Sequence, residues 1–290
     1  MTQKKFTFGR AVIYLLLVLL CATIVIAFWH LMNLSLSRSY IATRGGLLLY
    51  PREATLDNYA RVIGNRYIWL GYKNTLIRTC IGTVLQLFFT AMGAYVLSKR
   101  FFPHRTFWTL FIVFTMFFSG GMIPDYFLVR SLGLLNTRWA LILPGLLGCY
   151  NLILMRNYID GLPDALEEAA LIDGANDLQV LVRIVLPLCL PILATLGLFT
   201  IVGYWNSYFS AIMYMTKREM WPLQLVLREI IFEGSAAEMQ AAGGVADDNI
   251  TSPFLLRMAS IVVATVPIML VYPFLQKYFM SGLVLGGVKE

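Results

Sequence analysis

A chain of 290 residues that is 59% hydrophobic, 13% charged and +7 in net charge is not an ordinary soluble domain, where about a quarter of residues are charged. Its apolar residues gather into long runs, which marks an all-α membrane protein. Lipid offers no partners to backbone N–H and C=O groups, so runs of this kind cross as helices.

The first run, 11–33, follows Lys4, Lys5 and Arg10. Its roughly 20 apolar residues exceed the about 7–15 of a secretory signal, and no small-x-small cleavage site follows, so it reads as a retained helix. An outer segment, 34–71, comes next, and LDNYARVI within it suggests a short helix. Runs 72–98 and 106–124 flank the basic loop SKRFFPHR. The fourth run, 139–156, is short and holds Pro144, Gly145 and Gly148, which predicts a kink. A polar segment, 157–185, separates it from a long fifth run, 186–215, able to tilt or to extend past the bilayer. Residues 217–257 open on the apolar WPLQLVLREIIF and continue as GSAAEMQAAGGVADDNITS, a composition that reads as flexible. The sixth run is 258–279. Residues 1–290 thus form one transmembrane domain with about six helices.

Six spans put both termini on one side. Lys4, Lys5, Arg10, Lys99, Arg100 and Arg105 argue that this side is the cytoplasm. Segment 157–185 is then cytoplasmic too. The full count does not help. Arg156, Arg183, Lys277 and Lys289 join the inner set, yet the outer side receives Arg38, Arg44, Arg52, Arg61, Arg66, Lys73, Arg130, Arg138, Lys217, Arg218, Arg228 and Arg257. That surplus suits an acidic ligand, an acidic face on a protein partner, lipid phosphates, or local pairs with Glu53, Asp57 and Glu219.

Segment 157–185 reads as helix, turn and helix. Pro163 suits a helix start. Asp164 and Glu167 fall in its first turn, where carboxylates favour the positive end. Ala165, Ala169 and Ile172 share a face with Leu166 and Ala170. Gly174 ends the helix and Asp177 can cap the next one, which enters the membrane at Pro187 and Pro191. Alone, this is a solvated amphipathic loop helix or a docking helix.

The residues here carry a long gapped pattern. Glu168, Ala169 and Ala170 are followed by Gly174, then by Ile184, Leu186 and Pro187. This resembles the EAA loop of ABC importer permeases, and every defining position matches in type and spacing. GLLLYPREATLDNY, GYKNTL, AYVLSKRFF, FTMFFSGGMIP and YWNSYF extend the resemblance over most of the chain, towards the carbohydrate, MalG-type branch and its permeases for uronate oligosaccharides such as alginate. The resemblance implies a type I importer permease fold in a bacterial inner membrane. It implies a cytoplasmic coupling helix in which Glu167, Glu168, Ala169, Ala170, Asp173 and Gly174 meet an ATPase. It also implies a second homologous permease, two ATP-binding subunits and an external solute-binding protein; the tail MSGLVLGGVKE can reach the ATPase pair. In such a bacterial importer the sequon Asn249-Ile250-Thr251 is a chance match.

No GxxxxGK[ST] occurs, so ATP and Mg belong to the partner and this chain is no enzyme. No cofactor or nucleic-acid partner is implied. Cys21, Cys80, Cys149 and Cys189 stand far apart, without metal-ligand spacing, and His30 and His104 have no neighbouring ligands.

Polar residues within spans face protein or a water-filled path. Asn74, Arg78 and Gln86 share one side of the second run, Asn151 lies in the fourth, and Tyr204, Trp205, Asn206 and Tyr208 cluster in the fifth. Amides, hydroxyls and flat rings suit a sugar, so Tyr204, Trp205, Asn206, Tyr208, Gln86 and Asn151 are candidates for the substrate path; the same residue types also glue helices together. Two other classes stay open. An ion-coupled carrier would want intramembrane acids, which the runs almost lack. A scaffold without transport would leave the EAA segment dispensable.

Overall fold

The computed structural model describes residues 8–38, 46–51, 53–241 and 253–287. Lys4, Lys5, Arg44, Arg52, Lys289 and the sequon at 249–251 lie outside them, as does most of the glycine-rich stretch expected to be flexible. Its first part does not fit that expectation: GSAAEMQA closes a regular helix, where alanines, Glu and Met are good helix formers.

Regular structure among the described residues is helical throughout. Helix α1 is Phe8–Ser35, α2 is Asp57–Gly64 and α3 is Arg66–Ser98. Helices α4, Arg105–Phe117, and α5, Met122–Ser131, follow. Two 3₁₀ turns, Arg138–Leu141 and Leu143–Gly145, lead into α6, Cys149–Ile159. Then come α7, Asp164–Ile172, and α8, Asp177–Val180. A π-helical turn, Leu181–Val185, joins α8 to α9, Leu186–Leu188. Helices α10, Leu190–Asn206, and α11, Phe209–Tyr214, precede a 3₁₀ turn at Arg218–Met220. Helix α12 is Leu223–Ala241 and α13 is Pro253–Gly287.

Three stretches are long and apolar enough to cross a membrane unaided: Ala11–Ser35, Arg66–Ser98 and Pro253–Leu270. Three further candidates are bent pairs, which brings the possible total among the described residues to six. The run 106–124 is therefore not one straight helix. It breaks at Ser119-Gly120-Gly121, and α4 and α5 diverge by 113°. The kink expected from Pro144, Gly145 and Gly148 is a 50° bend. The run 186–215 is divided twice. A 79° bend separates α8–α9 from α10, because Pro187 and Pro191 have no N–H to return to the carbonyls one turn back. The second break, at Ser207-Tyr208, has no Pro or Gly behind it.

The chain divides into two compact units, one of residues up to Ile68 with Leu227–Val266, the other of Trp69–Val226 with the residues from Pro267. In the first unit the most apolar stretch of α1 buries no residue within the chain. Its C-terminal part is tied down among the described residues, where Trp29 Nε1 donates to Leu49 O at 2.8 Å and the Leu48 N–H donates to His30 Nδ1 at 3.0 Å. Asn33 donates to Leu48 O at 3.0 Å, and Asn58 of α2 donates to Ser35 O and Ser37 O at 2.9 and 3.1 Å. The bond to Ser35 O satisfies a carbonyl that the end of α1 leaves without a partner. Leu34, Leu48 and Leu255 close a small core beside these bonds.

The second unit packs α3 against α6, α8 and α10. Ala91, Ala94, Met155, Val180, Val185, Cys189 and Leu196 form its centre. A second cluster joins α5, the Arg138–Leu141 turn and α11 through Val129, Leu141, Ala211 and Tyr214.

Candidate functional site

The loop after α6 folds by short-range rules. Pro163 is the residue before α7 rather than its first residue, and Asp164 and Glu167 occupy the first turn. Gly174 has φ +83, a left-handed conformation that glycine adopts without a Cβ clash. Its N–H bonds Leu171 O at 3.0 Å, and the Ala175 N–H bonds Ala170 O at 3.0 Å. This paired closure is the Schellman motif. Ala170 and Ala175 pack together beneath it. The cap of α8 corrects the sequence reading. Asn176, not Asp177, is the N-cap: Asn176 Oδ1 accepts from the Gln179 N–H and Gln179 Oε1 accepts from the Asn176 N–H, both at 2.9 Å. Asp177 falls one residue inside, where its carboxylate still suits the dipole.

The faces of α7 also differ from the simple amphipathic reading. Ala170 alone is buried and Glu167 is half-buried, while Leu166, Glu168, Ala169, Leu171, Asp173 and Gly174 are exposed. Ile172 is 86% exposed. Glu167 pairs with Lys99 just past the end of α3, and the Lys99 ammonium lies 4.1 Å from the centre of the Tyr95 ring. Burial pulls the Lys99 pKa down, against the opposing fields of Asp177 and Asp164. Arg105 and Arg156 converge on Asp160 at 2.9 and 3.5 Å, which ties α4 to the end of α6. The more exposed Arg100–Asp164 pair at 3.0 Å is of the kind that adds little. A pocket of about 530 Å³ opens here, lined by Lys99, Arg105, Asp160, Glu167, Glu168 and Asp177 among others. Helix α7 is thus anchored by one side and open on the other.

The intramembrane candidates fall into two groups. Tyr204 and Trp205 are buried. Tyr204 lies under Gly82 of α3, where an added Cβ would stand 2.7 Å from the ring carbons. Trp205 packs 6.3 Å from Tyr72, ring centre to ring centre. Asn206 and Tyr208 are exposed at the break between α10 and α11. The second group is Gln86 and Asn151, whose amide nitrogens both border Gly148 at the start of α6. Asn74 is structural: it donates to Glu219 O at 2.8 Å and Trp221 O at 3.1 Å. Thr75 beside it accepts from the Leu223 N–H at 2.9 Å.

Three residues here stand outside the substrate-path candidates, although Arg78 is already named on the polar side of the second run. Arg78 is 5% exposed in the middle of α3 and reaches Ser207 and Ser210 at the α10–α11 break. An arginine inside a span was itself the available signal. The two serines gave none.

The chain belongs to the family described as the binding-protein-dependent transport system inner membrane component, whose model matches residues 68–284. It is a multi-pass inner-membrane permease, the transmembrane part of an ABC transporter. Membership implies an ATPase, a binding protein and a paired permease as partners. It is similar to the polygalacturonan/rhamnogalacturonan transport system permease protein YtcP of Bacillus subtilis, with 40% identity over 282 residues and 96% of each chain covered. The arabinooligosaccharides transport system permease protein AraQ of Halalkalibacterium halodurans is 30% identical, over 91% of this chain and 92% of its own. A crystal structure of a bacterial ABC transporter involved in the import of the acidic polysaccharide alginate contains a chain that superposes with a TM-score of 0.85 at 33% identity. The match covers 96% of this chain and all of that one. The type I importer permease fold expected from the EAA loop is the fold observed.

Proposed function

We propose that this chain is one permease subunit of an ATP-driven importer of oligosaccharides bearing uronic acid carboxylates, and that α7 is its coupling helix. In this reading α7 and both termini face the cytoplasm, and α7 inserts into a cleft of an ATP-binding subunit. A second, homologous permease completes the path, a second ATP-binding subunit completes the motor, and an external binding protein delivers the sugar. ATP and Mg stay on the motor. Closure of the motor moves α7 and shifts the spans between inward-open and outward-open populations.

The observation that carries the coupling role is the open face of α7. Exposed Leu166, Leu171 and Ile172 surround Ala169 and Glu168 on a helix whose other side is already anchored. Burying one such aliphatic side chain gains roughly 1.5–3 kcal/mol, so this face gains most when a partner covers it. The small alanine allows close approach and Glu168 supplies a charged contact. The cargo class is supported by the pectin-type and alginate transporters that the chain resembles, and by the basic residues of the segments assigned to the outside. Among these, Arg38 pairs with Glu53 at 3.7 Å at an exposed site, a weak pair that leaves most of its positive field in place.

The test is uptake into proteoliposomes holding the whole importer. An oligogalacturonide and its carboxyl-reduced neutral analogue are compared over a range of salt. The acidic form is carried faster, and its advantage shrinks as salt rises. Equal uptake of both, insensitive to salt, removes the acidic cargo and leaves the permease assignment standing.

A further inference from the structure

We propose that Arg78 is a carboxylate-binding residue of the translocation path, set at the break between α10 and α11. This deepens the reading just given and rests on it. Three observations converge. First, Arg78 is a nearly fully buried cation with only neutral partners. Its guanidinium donates to Ser207 O at 3.3 Å, Ser207 Oγ at 3.2 Å and Ser210 Oγ at 3.4 Å, and lies 5.1 Å from the centre of the Tyr204 ring. No carboxylate among the described residues pairs with it. A buried guanidinium left so is costly and calls for an anion.

Second, the site has spare hydrogen-bonding capacity. Arg78 Nε, Thr79 Oγ1, Tyr204 OH and Trp205 Nε1 are buried without a partner among the described residues. Native interiors seldom leave buried polar atoms unpaired, and such atoms point to water or to a ligand. Third, the partners of Arg78 sit where the helix is unwound. Ser207 is extended, with φ −76 and ψ 125. Irregular backbone at membrane depth is tolerated where protein covers it or where it lines a water-filled cavity, and discontinuous helices are where transporters hold charged cargo. Asn206 and Tyr208, on either side of Ser207, are exposed.

A guanidinium fork matches a carboxylate in two parallel bonds. In the resting arrangement Ser207 and Ser210 hold the fork. A uronate carboxylate entering at the break replaces them. The opposing reading is a purely structural one: Arg78 caps the C-terminal carbonyl of α10 and suits the negative end of its dipole.

Two variants of the assembled importer separate these readings. Arg78→Gln removes the charge. Ser207→Asp keeps Arg78 but gives it an internal carboxylate, which would strengthen a structural lock. Uptake of an oligogalacturonide and of its carboxyl-reduced analogue is measured for each, with thermal stability of the complex as the control. The expected result is that both variants lose uptake of the acidic sugar by at least about tenfold, carry the neutral analogue as before, and Ser207→Asp is no less stable than the parent. If Ser207→Asp carries the acidic sugar normally, or if either variant loses both sugars equally, the assignment of Arg78 is overturned. If the unaltered importer carries neither sugar, the oligosaccharide reading beneath it falls as well.

Discussion

Replacing Gly174 tests whether the shape of the proposed coupling loop matters apart from its contacts. The glycine holds φ +83, and a Cβ built on it meets nothing within 4 Å. Any penalty is therefore conformational. A non-glycine residue in the left-handed region costs about 1–2 kcal/mol. A β-branched residue costs more and asparagine less, because its short amide tolerates that region. Loss of the motif also frees the carbonyls of Ala170 and Leu171, which Ala175 and Gly174 now satisfy at 3.0 Å each. A loss of 1–2 kcal/mol is about a 5- to 30-fold change in the balance between the closed and frayed ends of α7. The expected order of substrate-stimulated ATPase activity in the assembled importer is Gly174, then Gly174→Asn, Gly174→Ala and Gly174→Val. Membrane insertion and basal hydrolysis should not change. Parental coupling in Gly174→Val, or a Gly174→Asn variant as impaired as Gly174→Val, would show that the left-handed turn at Gly174 does not set coupling.

Glu168 is exposed on the proposed docking face, so Glu168→Lys should insert normally yet lose uptake and stimulated hydrolysis; parental uptake removes the docking role. Lys99 and Glu167 are partly buried and paired, so Glu167→Gln, which strands the ammonium, should loosen α7 by about 1–3 kcal/mol. The Lys99→Met, Glu167→Gln double variant should lose less than the sum of the two single ones, as read by hydrogen exchange over residues 164–172, and simple additivity would show that the pair is not coupled. Gly82→Ala places a methyl 2.7 Å from the Tyr204 ring carbons and should cost about 1–3 kcal/mol; an unchanged melting temperature of the complex would mean that α3 and α10 are less tightly apposed than this.

The parts of the structure written in local chemistry were open to sequence reading. The Asp164 and Glu167 first turn and the Gly174 stop each depend on neighbours within a few residues. Even there the cap went to Asn176, because a capping box needs Gln179 three residues on and Asp177 has no such partner in register. The length of run 186–215 concealed two breaks. The bend at Cys189 follows from prolines that stand in the sequence, whereas the break at Ser207 lies in YWNSYF, with neither Pro nor Gly. Its Ser207 is bonded to Arg78, 129 residues earlier. The structural role of Asn74 was hidden for the same reason, since its partners are Glu219 and Trp221. The spacing of Asn74, Arg78 and Gln86 displayed the polar face of α3 but not which residue binds the chain and which faces a break.

The proposed role of α7 is to transmit the work of a separate ATPase into oligosaccharide movement through this chain. It is tested most directly by ATP-driven uptake of an oligogalacturonide into proteoliposomes, with the ATPase subunits present, absent, or present with Glu168→Lys in this chain. Uptake is expected only with the ATPase and an unaltered Glu168. Uptake that persists without the ATPase and collapses with the ion gradient would contradict it and make the chain an ion-coupled carrier.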